Sequence, residues 1–105
     1  MKKKLLAAAA AMFACATLAY AADVKVSQIN KMFDPGDLTI KAGDTVHFVN
    51  NDTVTHNVFT RGSPQDFSLG SIKPGDDKPV TFSTAGIYEV RCAIHPTMKM
   101  TITVQ

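Results

Sequence analysis

The stretch Gly86-Ile87-Tyr88-Glu89-Val90-Arg91-Cys92-Ala93-Ile94-His95-Pro96-Thr97-Met98-Lys99-Met100-Thr101-Ile102-Thr103-Val104 decides the fold. Residues 87–91 form an extended run that leads into Cys92. Residues 100–104 alternate apolar and polar strictly, which is the period of a half-buried strand. Between them Pro96 removes an N–H and interrupts any continuation of the first strand. The segment is therefore a strand, a short loop and a closing strand. That loop places a thiol, an imidazole and a thioether within seven consecutive residues, Cys92 to Met98.

Working outward, the same punctuation repeats. Residues 24–29 alternate as a half-buried strand, and Asp34-Pro35-Gly36 breaks it. Residues 38–41 form a second short strand before the turn at Ala42-Gly43-Asp44. Residues 45–50 form a third, ending in Asn50-Asn51-Asp52. Residues 57–60 are a candidate fourth strand and 67–69 a brief extended piece. Lys73-Pro74-Gly75-Asp76-Asp77 reads as a turn, 80–83 as a strand and Ala85-Gly86 as a turn. No window after residue 21 has helical periodicity. Seven or eight strands at this spacing predict an all-β chain folded as a two-sheet β-sandwich. There is no internal repeat, linker or second domain.

The first 21 residues read differently. Lys2, Lys3 and Lys4 precede an Ala-rich apolar run that ends in Ala19-Tyr20-Ala21, the pattern of a secretory signal peptide cut before Ala22. The run is short for a spanning helix, which needs about 20 apolar residues. No stable membrane insertion is expected after cleavage. Cys15 opens a lipidation alternative, but the residues before it lack the usual Leu. Residues 22–105 are then the functional domain. The three leader lysines are part of a total of 11 basic residues, so eight remain against 9 acidic ones and the net charge becomes −1. With no basic run and no Trp, nucleic acid is not an expected partner. Cys92 is left as the sole cysteine of an exported chain, so no internal disulfide can form. A free thiol in an oxidising compartment needs burial or a metal.

His56 supplies what the loop lacks. It follows the third strand, and a sandwich can bring that end against the Cys92–His95 loop. Two imidazoles, one thiolate and a weak thioether, from His56, His95, Cys92 and Met98, make the donor set of a blue-copper site. Taken singly, a Cys or a Met is more often a core residue. The convergence on one loop is what favours metal. His47 lies mid-strand on the opposite face by alternation and is expected to have no metal role.

The residues resemble the cupredoxin family, amicyanin/plastocyanin-like small blue copper proteins, over nearly all of 22–105. The resemblance rests on three segments. One is Met32-Phe33-Asp34-Pro35 followed by 38–46, and another is Asn50-Asn51-Asp52 with His56-Asn57-Val58. The third is 86–92 with His95-Pro96-Thr97-Met98. It implies a cupredoxin-like Greek-key β-sandwich holding one copper ion that cycles between Cu(I) and Cu(II). It also implies His56, Cys92 and His95 as equatorial ligands, Met98 as the axial one, and Asn57 as a tie between the two ligand loops. Relatives of the pseudoazurin type take a Met five residues after the His, which would select Met100; the short His-Pro loop favours Met98. The implied function is a periplasmic, monomeric, non-enzymatic electron carrier. Its ring edge at His95, beside Pro96, would meet transient redox partners of cytochrome or dehydrogenase type. The alternative is copper binding and delivery. A zinc enzyme would use a similar donor set, but no general-base motif accompanies it.

Overall fold

Cross-strand pairing of the alternating segments builds two sheets. The structure, a computed structural model, describes residues 20–105. The expected signal peptide therefore lies outside the described residues except for Tyr20 and Ala21, and Cys15 lies outside them too. The strands are β1 (Asp23–Ile29), β2 (Met32–Asp34), β3 (Leu38–Ile40), β4 (Thr45–Asn50), β5 (Asp77–Thr81), β6 (Gly86–Arg91) and β7 (Lys99–Val104). One sheet has the order β2-β1-β4-β5 and the other β3-β7-β6. β1 pairs parallel with β4, and β3 parallel with β7. The remaining pairs are antiparallel. This is the expected β-sandwich.

Alternation puts the core where the pattern requires it. Val26, Val46, Phe48, Tyr88, Val90, Met100, Ile102 and Val104 all turn inward and are buried. A run of rings crosses the interior from Phe33 through Phe48, Phe67 and Phe82 to Tyr88, with centroid separations of 6.3, 6.5, 5.7 and 5.0 Å. Three of these contacts are edge-on. Such pairs add about 0.5–1.5 kcal/mol each beyond the area they bury. Gly86 opens β6 at φ 143° with its Cα against Pro64, where an added Cβ would come within 2.5 Å of Cγ. A larger residue there would displace the 61–66 loop.

Three local expectations change. The chain does not run straight from β1 to the break at Asp34-Pro35-Gly36. Asn30 and Lys31 both adopt positive φ, 53° and 57°, and turn the chain into the β1–β2 hairpin. Residues 57–60 form no ladder. His56 bridges Ile72, and Phe59 bridges both Ser68 and Arg91, so the segment meets several partners at single points. β5 begins at Asp77 and ends at Thr81, with Pro79 inside it. Pro79 is tolerated because β5 is an edge strand and needs no outward N–H.

At the end of the sandwich remote from Cys92, Ala22, just ahead of β1, and Gln105, just after β7, are stitched to one turn. Thr45 N–H donates to Ala22 O (2.9 Å), and Ala22 N–H donates to Asp44 Oδ1 (2.9 Å). Ala42 N–H donates to Gln105 O (3.0 Å), and Gln105 N–H to Ile40 O (2.9 Å). Lys41 N–H fills the other Asp44 oxygen at 2.9 Å. These donors hold the Asp44 carboxyl below its ordinary pKa, Ala22 contributing most.

Candidate metal centre

The antiparallel β6–β7 pair fixes the ligand loop. Arg91 and Lys99 are the last register partners, and the seven residues between them form the turn. Cys92 N–H reaches Met98 O at 3.3 Å, and Met98 N–H donates to His95 O at 2.9 Å. The loop is thus pinched shut with Cys92 and Met98 both inside, each about 1% exposed. Met100 is equally buried, but it sits in the β7 ladder opposite Val90.

His56 arrives from the segment after β4. Its backbone exchanges hydrogen bonds with Ile72 (3.0 and 2.7 Å), and its side chain is fully buried. The ligating atoms of His56, Cys92 and His95 lie within 4.8 Å of one another. Nδ1 of His56 is 3.0 Å from Nδ1 of His95, and Cys92 Sγ is 4.0 and 3.8 Å from those two atoms. A point about 2.1 Å from each of the three atoms lies inside that triangle, the scale of metal–nitrogen bonds (~2.0–2.1 Å) and close to metal–thiolate bonds (~2.3 Å) in zinc sites. The residues present fit a single soft-to-borderline ion. Three donors of this type with a buried thioether near by suit copper best.

The surroundings orient the donors. Asp52 Oδ2 lies 3.0 Å from His56 Nε2. Lys31 N–H donates to the same oxygen at 2.8 Å, and Thr53 N–H donates to Oδ1 at 2.9 Å. The Lys31 amide first, then His56 and Thr53, hold the Asp52 carboxyl down at about 2. An ionised Asp52 can only accept, so it takes the Nε2–H of His56 and turns Nδ1 toward the triangle's centre. His95 is pushed below its ordinary pKa by burial first and then by His56 and Lys31, which favours the neutral, ligating form of that ring. Asn57 links the two loops. Its Oδ1 accepts from Ala93 N–H at 2.7 Å, and its own N–H approaches Cys92 Sγ at 3.4 Å. The N–H contact stabilises negative charge on the sulfur.

A family profile described as copper binding proteins, plastocyanin/azurin family, matches residues 20–105. The chain belongs to that family. It is 38% identical over 88 residues to the amicyanin of Paracoccus versutus, covering 80% of this chain and 67% of that protein. A solved Cu(I) amicyanin variant superposes with a TM-score of 0.74 at 26% identity, over 79% of this chain and 82% of that one. A copper-containing nitrite reductase from Thermus scotoductus also superposes with a TM-score of 0.74, at 31% identity over 79% of this chain, but the match is 22% of that chain. Family membership and the donor triangle together make this a blue-copper electron-transfer protein with one copper ion as cofactor.

The structure brings His56, Cys92 and His95 into one cluster and puts Met98 beside Cys92 through the backbone. It keeps His47 elsewhere: Nδ1 is 2.9 Å from Asp77 Oδ1 and Nε2 3.6 Å from Asp23 Oδ1. Asp52 was not foreseen as a partner of His56. The only signal was an acid four residues earlier, and in a loop that spacing has no fixed geometry.

Proposed function

We propose that residues 22–105 shuttle single electrons between redox proteins of the periplasm, with His56, Cys92 and His95 as equatorial ligands and Met98 as the axial one. The convergence of two Nδ1 atoms on the chain's only domain cysteine carries this reading. Copper, when bound, supplies the Cu(II)/Cu(I) couple. The chain's part is to hold the donors still, so that little rearranges when the charge changes. Asp52 fixes the His56 ring, Ile72 fixes its backbone, and Asn57 fixes the turn after Cys92. The Asn57 N–H aimed at the Cys92 sulfur tunes the potential.

Electrons would enter and leave near His95, the partly exposed ligand, which is flanked by exposed Ile94 and Pro96. Partners would be cytochromes or dehydrogenases meeting a monomer briefly, since such encounters bury little area. The burial of Cys92 and His56 argues against release of the ion to another carrier, and family membership supports a carrier role rather than an enzymatic one. The test is a visible and paramagnetic-resonance spectrum of copper-loaded 22–105, paired with Cys92→Ser. An intense visible band that vanishes in Cys92→Ser is expected. An intense band that survives the substitution overturns the ligand set, and a colourless wild-type copper protein favours delivery.

A further inference from the structure

The outer face of β6 and β7 near the ligand loop holds an arrangement that the metal site does not explain. Arg91 and Lys99 are direct register partners, and both are exposed. Like charges placed opposite each other weaken a strand pair. Arg61 adds a third cation. Its guanidinium stacks over the Phe59 ring at 5.6 Å. Phe59 and Arg91 exchange backbone hydrogen bonds at 2.9 and 3.0 Å, which sets the two arginines on adjoining segments. A cleft of about 350 Å³ is lined by Phe59, Arg61, Arg91, Cys92, Ala93 and Pro96.

Two acids lie close, and neither neutralises the group. Glu89 Oε1 pairs with Arg91 Nη2 at 2.9 Å and can offset one charge. Asp66 is within electrostatic reach of Arg61, but its oxygens are taken by the N–H groups of Gly62 and Ser63 and by Thr60 Oγ1. Among the described residues, neither Arg61 nor Lys99 forms an ion pair. The domain as a whole has a net charge of −1, so this is a local concentration of positive charge on a slightly acidic molecule.

We propose that Arg61, Arg91 and Lys99 form a docking surface for the acidic face of a redox protein, with partner carboxylates seated in the cleft beside Cys92. The proposal rests on the electron-transfer reading and adds the partner's charge and a second place of contact, lateral to His95. A carboxylate in the cleft meets guanidinium groups in the geometry that arginine recognises best. The cleft also reaches the thiolate ligand, because Cys92 is among the residues that line it. Charge complementarity of this kind governs encounter rate and salt dependence.

Two measurements test it. In the first, hexaglutamate is titrated into nitrogen-labelled, copper(I)-loaded protein and amide shifts are followed. Movement of Phe59, Arg91, Ala93 and Lys99 is expected, with loss in the Arg61→Gln/Lys99→Gln double variant and in Arg91→Gln. Hexalysine should move none of them. In the second, reduced protein is oxidised by hexacyanoferrate(III), one electron passing from Cu(I) to Fe(III). The rate should fall as salt rises and fall roughly tenfold in the double variant, with the midpoint potential unchanged. Lys25→Gln/Lys41→Gln, at the other end, should leave the rate alone. Shifts confined to other surfaces, or a rate indifferent to Arg61, Arg91 and Lys99, overturn the docking surface. The peptide titration can be repeated on copper-free protein, so a failure of the copper reading is distinguishable from a failure of docking.

Discussion

Replacing Gln28 by Met should make the protein more stable. Gln28 lies on β1 between Phe33 of β2 and Asn50 of β4, and it is fully buried. Its backbone oxygen accepts from Asn51 N–H at 2.9 Å, a bond that any residue would keep. Its side-chain Oε1 and Nε2 have no protein hydrogen-bond partner among the described residues. A buried amide without a partner costs about 1–3 kcal/mol in proteins, because the water it leaves is not replaced. Met has similar length and no amide to desolvate. Allowing for imperfect packing of the thioether, Gln28→Met should gain about 1–2 kcal/mol. In a domain of this size each kcal/mol moves the thermal midpoint by roughly 4–8 °C. Urea unfolding of copper-free 22–105, at unchanged denaturant slope, reads the difference. A loss of more than about 1 kcal/mol would refute the reasoning, since it would mean that the amide is bonded within the core, for instance through an internal water.

Met98→Gln should shift the reduction potential and the copper spectrum while the fold persists, and Met100→Leu, which keeps apolar bulk in the β7 ladder, should alter them far less; changes that follow Met100 would reassign the axial position. The Asp77 hydrogen bond, with help from Asp23, raises His47 above its ordinary pKa, so the stability it contributes is complete below about pH 6.5 and is lost as pH rises through the higher folded value. Thermal midpoints of the copper-free protein should therefore differ between wild type and His47→Gln in acid, and the gap should close as pH climbs. Asp44 is lowered, so its contribution is present above about pH 3.9 and is lost as pH falls through the folded value; Asp44→Asn should be less stable at neutral pH and converge with wild type in strong acid. Saturating copper should raise the thermal midpoint by mass action, and a midpoint indifferent to copper would contradict binding to the native state.

What could be read from the sequence was local or periodic. Alternation located β1 and β7, because each has one buried face, and β4 and β6 were read as extended runs between turns. The cluster of His56, Cys92 and His95 was legible because Cys92 and His95 share one short loop and His56 could be added from its place after a strand. The β1–β2 hairpin was missed because its turn is Asn30-Lys31, where a lysine takes the positive φ usually signalled by glycine. Pro79 pointed away from a strand, and only the edge position of β5 makes it acceptable. Asp52 and the Arg91–Lys99 pair needed register and loop geometry, which no spacing rule supplies. Gln28 fitted neither reading: alternation sends it inward, and its amide says outward.

The stitching of Ala22 and Gln105 to a single turn gives the domain the properties of a plug-in cartridge. Ala22 and Gln105 both lie at the base, about 20 Å of strand away from Cys92 along β6. A linker, an anchor or an electrode tether attached ahead of Ala22 or after Gln105 would leave the end that carries Cys92 uncovered. Joining the ends through a short peptide and opening the chain in an exposed loop should likewise preserve the fold. The same layout suits life inside a larger polypeptide, and the matching portion of the Thermus scotoductus nitrite reductase, 22% of that chain, shows this architecture used at that scale.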